Sequence, residues 1–437
     1  MGRMTYLKHT RQFGIAVLAI AALTACQART ITVEKPVEVT KIVEVTSAAP
    51  AAAAPAAAAE SEEITVGVAL PFTGSLGEFG KGFKDGIELA VEQMNAELAK
   101  TGKKLHFKVV SQDTTGTPDG AAKAVQTVVQ TSGAKVVIGP LTTGEVLGVK
   151  QFADSNKIVI VAPASSGVAG GIPNDYIFRV MNPPDSFAAQ AFQGIATSRG
   201  YKNVVVMHVD DPFGNGMLAG FSERFKAAGG GDVASVKFQA DAADLSSEVT
   251  KASGEVARLA AGGKTAFFCV CFLGDAQKVV KLAAVDANLG TVDWLGIENL
   301  LNKKLLENKA DAALLSKVNF TVASAASTAN PNTKPFNEAF KAKFGKDAGA
   351  FTNYAYDAAN IAMLSILIAG NNGEAVQKVL PFVANHYIGT QVQTYLDANG
   401  DQAIAVLDIY KLKADGSDYD KIGTYDGSSG TTTFLSK

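Results

Sequence analysis

From Ile64 onward, short apolar runs alternate with stretches whose apolar residues recur at helical spacing. Residues 64–70 have the length and composition of a buried strand. Residues 82–100 then set Phe83, Ile87, Ala90, Val91, Met94 and Leu98 on one helical face. A second strand is predicted at 105–110, followed by a helix that opens at Pro118, a favoured first-turn position, and continues through Val125, Val128 and Val129. A strand at 135–138, a helix at 144–156 and a strand at 158–161 complete the first half. This β-α-β-α order predicts a parallel sheet with helices on both faces.

The pattern breaks at Met181-Asn182-Pro183-Pro184-Asp185, because tandem prolines fit neither a helix interior nor a central strand. It then restarts, with strands predicted at 203–209, 234–238, 266–272 and 294–297 and helices at 187–198, 216–228, 256–261 and 276–287. Beyond residue 324 helices are expected at 336–344 and 355–369. An antiparallel pair, 391–396 with 403–411, is expected around the Asn399-Gly400 turn. The resulting expectation is an α/β protein of two doubly wound parallel-sheet lobes joined by a multi-segment hinge. Residues 64–182 with 325–400 form the first lobe, and 183–324 with 401–437 the second.

What precedes Ile64 reads differently. Arg3, Lys8 and Arg11 precede an apolar segment, 13–23, too short to span a bilayer. Small residues then lead to Cys26, the order of a secretory signal, so residues 1–25 are expected to be a signal peptide. Residues 27–63 have no aromatic side chain, and carry a valine/glutamate/lysine quasi-repeat and an alanine tract broken by Pro50 and Pro55. Such a segment buries too little apolar surface to offset its ordering entropy, so 26–63 is expected to be a tether.

Of 437 residues, about 370 follow the tether, enough for two cores. Net charge is −2, and no basic run suggests a nucleic-acid partner. Export argues against chemistry needing ATP or NADH. Besides Cys26 there are only Cys269 and Cys271, in an apolar strand-like run. Same-face neighbours on a strand give poor disulfide geometry, so buried free thiols are expected, with a transient redox pair as the alternative. No metal-ligand spacing stands out, and no cofactor is expected.

In open α/β sheets ligands lie beyond the carboxyl ends of parallel strands. Three such loops here are small, hydroxylated and glycine-bearing: residues 71–80, 139–144 and 162–167. Free N–H groups, helix N-termini and hydroxyls make a converging site for a small carboxylate. Any one of these hydroxyls could equally serve only as a helix cap.

The same residues carry a resemblance. Leu23-Thr24-Ala25-Cys26 looks like a lipoprotein box, which implies a lipid on Cys26 and anchorage to the outer face of the cytoplasmic membrane or in the periplasm. Leu70-Pro71-Phe72-Thr73-Gly74 with Gly80, Ile138-Gly139-Pro140 with Thr142-Thr143, Ala162-Pro163-Ala164-Ser165-Ser166, Asp211-Pro212-Phe213-Gly214 and Tyr356-Asp357-Ala358 form an ordered set. It resembles the leucine/isoleucine/valine-binding family of ABC-transporter solute receptors, with the type I periplasmic-binding-protein fold. The resemblance implies a monomer that closes two lobes around a small molecule, most readily a hydrophobic or branched-chain amino acid, and delivers it to an ABC permease. It places the carboxylate contacts on Thr143, with Thr142 beside it, and on Ala164, Ser165 and Ser166. The ammonium acceptor falls on Glu298, and aromatic contacts fall on Phe213 and Phe79, with Tyr354 and Phe272 in less certain positions. An acceptor-only carboxylate suits an ammonium, and hydroxyl and N–H donors suit a carboxylate.

There are two rival classes. An enzyme is disfavoured by the absence of Gly-x-Ser-x-Gly, His-Glu-x-x-His and a Walker loop, and His106 and His208 lie in predicted strands. A receptor of the same fold for an aromatic carboxylate or short amide, or one that signals rather than transports, is the remaining alternative.

Overall fold

The structure is a computed structural model that describes residues 62–326, 330–390 and 393–435. The expectations for the signal peptide, for Cys26 and for residues 26–61 lie outside the described residues.

The first sheet is built from β1 (Glu62–Leu70), β2 (Leu105–Asp113), β3 (Val136–Ile138), β4 (Val159–Ala162) and β5 (Ile177–Arg179). Its order is β2-β1-β3-β4-β5 and every pairing is parallel. From Ile64 to Leu70 β1 is buried without alternation, as expected of a strand covered on both faces. The covering helices are α1 (Gly77–Lys100), α2 (Pro118–Ser132) and α3 (Thr143–Asn156). Pro118 opens α2 behind the Thr117 side-chain cap, and Gly133 closes it in a left-handed conformation.

The second sheet begins after α4 (Asp185–Ser198), with β6 (Asn203–Val209), α5 (Pro212–Ala227), β7 (Val233–Phe238), α6 (Ser246–Ala260), β8 (Thr265–Val270), α7 (Leu273–Ala283), β9 (Asp293–Gly296), α8 (Lys309–Lys317) and β10 (Thr321–Ala325). Then α9 (Thr333–Phe344), α10 (Thr352–Ala369) and α11 (Gly373–Asn385) return to the first sheet, where α10 packs on α1, β3 and β4. The chain ends with β11 (Val406–Leu412), β12 (Tyr419–Asp426) and β13 (Thr431–Phe434), which extend the second sheet antiparallel from β10. The chain thus crosses between the sheets after Arg179, after Ala325 and after Gln402.

Several elements depart from the sequence expectation. The first strand starts at Glu62, two residues inside the expected tether, with Glu62 and Glu63 exposed at its edge. β5 was not anticipated, because its three residues end in a buried arginine rather than forming an apolar run. The expected hairpin reduces to a single bridge, Leu396 with Gln402, around a turn in which Gly400 has φ +75°. β11 instead pairs with β10 and β12, partners whose polar or small residues gave no strand signal. Residues 391–392 lie outside the description. The strand expected at 266–272 stops at Val270, and Cys269 and Cys271 are joined in a disulfide, correcting the expectation of free thiols. Their Cα atoms are 5.3 Å apart, closer than the roughly 6.6 Å of two positions on an extended strand. The chain bends there, whereas same-face neighbours pair poorly only on a straight strand.

Arg179 ties the crossing segments together. Its Nε donates to Asp401 Oδ1 at 2.7 Å, a second nitrogen bonds the other carboxylate oxygen, and the remaining one donates to the Gly167 carbonyl at 2.6 Å. Both side chains are almost fully buried. Asp401→Ala would strand the guanidinium in the interior, a loss of about 3–5 kcal/mol. Denaturant titration at pH 7 reads it, and a loss below about 1 kcal/mol would contradict the role assigned to the pair.

Candidate functional site

Because the strands of each sheet core are parallel, their carboxyl ends deliver all the strand-to-helix loops of that sheet to one edge. The two edges face each other across a cavity. It holds about 60 Å³ open to the centre of a water molecule, several times the roughly 10–15 Å³ one water needs. Its occupant is therefore small. Contacts cross the cleft around it: Asp241 accepts from the Ser75 backbone N–H at 2.6 Å, and Lys304 pairs with Glu78 at 2.7 Å.

Glycine lets the first-sheet loops approach closely. A Cβ on Gly139, which has φ +103°, would lie 2.0 Å from the Ala69 carbonyl oxygen; on Gly80 it would lie 1.7 Å from that of Pro71. The loop after β3 leads into α3 through a capping box. Thr142 accepts from the Glu145 N–H at 3.2 Å while the Glu145 carboxylate accepts from the Thr142 N–H at 2.8 Å. Thr142 lines the cavity, but its hydroxyl is engaged in the cap. Burial raises the Glu145 carboxyl, and hydrogen bonds from Thr114 and Thr142 pull it back. Thr143 Oγ1 accepts from the Gly167 N–H at 2.9 Å and lies 3.2 Å from Ser165 Oγ, so the loops after β3 and β4 form one hydroxyl-rich wall. Ala164 and Ser166 complete it.

From the second sheet come Phe213 at the start of α5, Phe272 just before α7, and Glu298 just beyond β9. The two rings stack 5.7 Å apart and 17° from parallel. Phe79 and Phe351 oppose them from the first-sheet side. Nine of the ten anticipated side chains therefore line one cavity. Tyr354 does not. It is fully buried behind the wall with its hydroxyl unpartnered, and burial, then the Glu298 charge, raises that hydroxyl. Trp294 is likewise core, its ring centroid 4.6 Å from that of Phe267 and the two planes tilted by 54°.

Sequence reasoning missed Asp185. It appeared only as the end of the Pro183-Pro184 break, yet it is the first residue of α4, and its N–H donates to the Ser166 carbonyl at 2.8 Å. Its carboxylate is buried, with Oδ2 unpartnered. Burial, then the charge of Glu298, pushes Asp185 well above the usual carboxylate range. Burial raises Glu298 as well. The arginine whose charge reaches Asp185 is Arg179, already committed to Asp401. Desolvation thus holds both carboxyls toward the neutral form, and a cation brought beside them would favour their ionisation. Asn299, also missed, adds an unpartnered buried acceptor. The helix-opening Pro-Pro-Asp was the available signal for Asp185.

A two-lobed, ligand-enclosing binding protein is the class that this fold and cavity define. Residues 63–417 match the family model of periplasmic binding proteins, and the chain belongs to that family. It is a family of binding proteins rather than enzymes. Among similar proteins, Leu/Ile/Val-binding protein homolog 3 of Brucella melitensis is 27% identical over 353 residues, covering 80% of this chain and 91% of that one. Leu/Ile/Val-binding protein BraC3 of Rhizobium johnstonii is 28% identical over 357 residues, covering 80% and 92%. An uncharacterized protein of Methanocaldococcus jannaschii is 28% identical over 268 residues, and the match spans 63% of its length. Among solved structures, a leucine-binding protein from Thermotoga maritima superposes with a TM-score of 0.71 at 22% identity, covering 84% of this chain and 99% of that one. A benzoate-bound solute-binding protein from R. palustris gives 0.67 at 18%, covering 83% and 96%. Both establish the two-lobed fold.

Asp211, the N-cap of α5, allows a stability test. It caps α5 by accepting from the Gly214 N–H at 2.7 Å, and burial raises it to about 6. A carboxyl raised in the fold stabilises fully below its unfolded value near 4, and that contribution is lost as pH rises through about 6. Asn keeps the cap without the charge. Asp211→Asn should therefore stabilise the ligand-free protein at pH 7.5 by about 1–2 kcal/mol, with no gain at pH 4. Thermal unfolding at both pH values checks this, and equal shifts would contradict it.

Proposed function

We propose that this protein is the extracytoplasmic solute-binding component of an ABC importer, closing its lobes around a small zwitterion, foremost a hydrophobic or branched-chain amino acid. The supporting observation is Glu298, which lines the cavity across from a wall of hydroxyls and backbone donors, with the buried Asp185, one carboxylate oxygen unpartnered, within its electrostatic reach. An ammonium would supply a cationic partner. The carboxylate would meet Thr143, Ser165 and Ser166 with the loop backbone at Ala164. Phe79, Phe213 and Phe272 would take the apolar side chain. A ligand such as benzoate, with a carboxylate and no ammonium, would give Glu298 no cationic partner, so the amino-acid reading is preferred. In this reading the first lobe comprises 64–182 with 325–400, the second 183–324 with 401–437, and the monomer delivers its ligand to a membrane permease. Closure follows from the ligand's greater affinity for the closed form.

The experiment is calorimetric titration of unfolded and refolded protein with the twenty amino acids. A saturable response to leucine, isoleucine, valine or phenylalanine is expected. Glu298→Gln should weaken it by roughly 1.5–3 kcal/mol, the range for a lost charged hydrogen bond, and unchanged affinity would sink the ammonium contact. The pair also sets a pH dependence. Both carboxyls are raised in the empty site, with Asp211, Arg179 and Tyr354 as the other titratable or charged groups facing them. Binding must ionise them, so protons are released and affinity falls as pH drops through the raised values. Calorimetry in buffers of different ionisation enthalpy reads that release, and none at pH 5.5 would contradict the assignment.

The N-terminal reading is part of the same proposal: a lipid on Cys26 holds the protein at the membrane, and the segment after it is a tether. Cys26→Ser should abolish incorporation of labelled fatty acid and move the protein from the membrane to the soluble fraction. Retention of label would refute the anchor.

A further inference from the structure

We propose that the Cys269–Cys271 disulfide positions Phe272 in the cavity wall, so that ligand affinity depends on the oxidation state of the pair. This rests on the reading of the cavity as the ligand site.

The bridge lies where β8 ends and α7 begins. Val270, opposite His208, is the last residue of β8 to pair with β6; Cys271 follows it, and Phe272 is the residue from which α7 starts. No side chain caps α7, so the placement of Phe272 is set by the backbone preceding it. That backbone is held at a 5.3 Å Cα separation by the bridge. Phe272 stacks on Phe213, and both rings face the cavity. The first turn of α7 also meets the opposite loop: a Cβ on Gly274 would lie 3.0 Å from Ser75 Cβ. A shift of this junction would therefore disturb both the aromatic wall and the closing contact.

Both sulfurs are buried, with Cys269 2% exposed and Cys271 not at all. Two thiols occupy more room than a bonded pair, and a close-packed interior transmits the difference to its neighbours. The bridge spans two residues, so the chain-entropy gain, which grows with loop length, is at its smallest here. Its effect is local. Reduction by an external dithiol balances simply: the S–S bond breaks, the dithiol gives up two electrons and two protons, and it closes into its own cyclic disulfide.

The test compares oxidised protein, dithiothreitol-reduced protein and the Cys269→Ala/Cys271→Ala variant. The oxidised form should bind leucine at least about five-fold more tightly than the other two, and saturating leucine should raise the dithiothreitol needed for half-reduction correspondingly. Hydrogen exchange at residues 272–278 of the ligand-free protein should quicken on reduction, while the melting temperature changes little. Equal affinities, or unchanged exchange at 272–278, would overturn the proposal. Oxidised protein that binds no amino acid would defeat the functional reading alone, and the exchange rates would then decide this one.

Discussion

Arg179 is the group on which the arrangement of the crossing segments turns. It ends the last strand of the first sheet, holds the returning chain through Asp401, and holds the loop after β4 through the Gly167 carbonyl. That loop carries Ala164, Ser165 and Ser166, so the ion pair that fixes the junction also fixes one wall of the cavity. A charge buried this deeply is tolerated only with several partners, and Arg179 has a bidentate carboxylate and a carbonyl. Its field reaches Asp185 without neutralising it. Structural and functional electrostatics are kept apart by a single allocation of hydrogen bonds.

The cavity has two chemical poles. One is made of hydroxyls and N–H groups presented by loops after β3 and β4, where glycine permits approaches that a Cβ would block. The other is the Glu298 carboxyl just beyond β9, with Asp185, which Ser166 hydrogen-bonds from behind the first wall, within its electrostatic reach. Between them lie phenylalanine rings from both sides of the cleft. Donors at one end, a carboxyl at the other and an apolar middle are what the proposed zwitterion with an apolar side chain requires. Contacts such as Ser75 with Asp241 and Lys304 with Glu78 show how closure is held outside the cavity itself.

The disulfide adds a different kind of control. It joins neighbours rather than distant segments, so it contributes geometry where most disulfides contribute entropy. The bend it spans ends β8 and sets the start of α7, and the residue between those two events faces the cavity.

By itself, the sequence determined the alternation of strands and helices, the glycine-bearing loops at the strand ends and the residue types on them. These are local properties, written in spacing and in φ-specific residues such as Gly139, and family resemblance located most of the wall-lining residues. It did not reveal β5, because a strand closed by Arg179 becomes recognisable only once Asp401 is beside it. It did not reveal β12 and β13, whose polar residues suit the edge of a sheet. It missed Asp185, since a carboxylate after two prolines reads as a turn until Glu298, more than a hundred residues later, is brought next to it. It also argued against the disulfide by assuming a straight strand. Tertiary structure decided these points because burial, charge pairing and sheet edges depend on which distant segments meet, and spacing along a chain does not encode that.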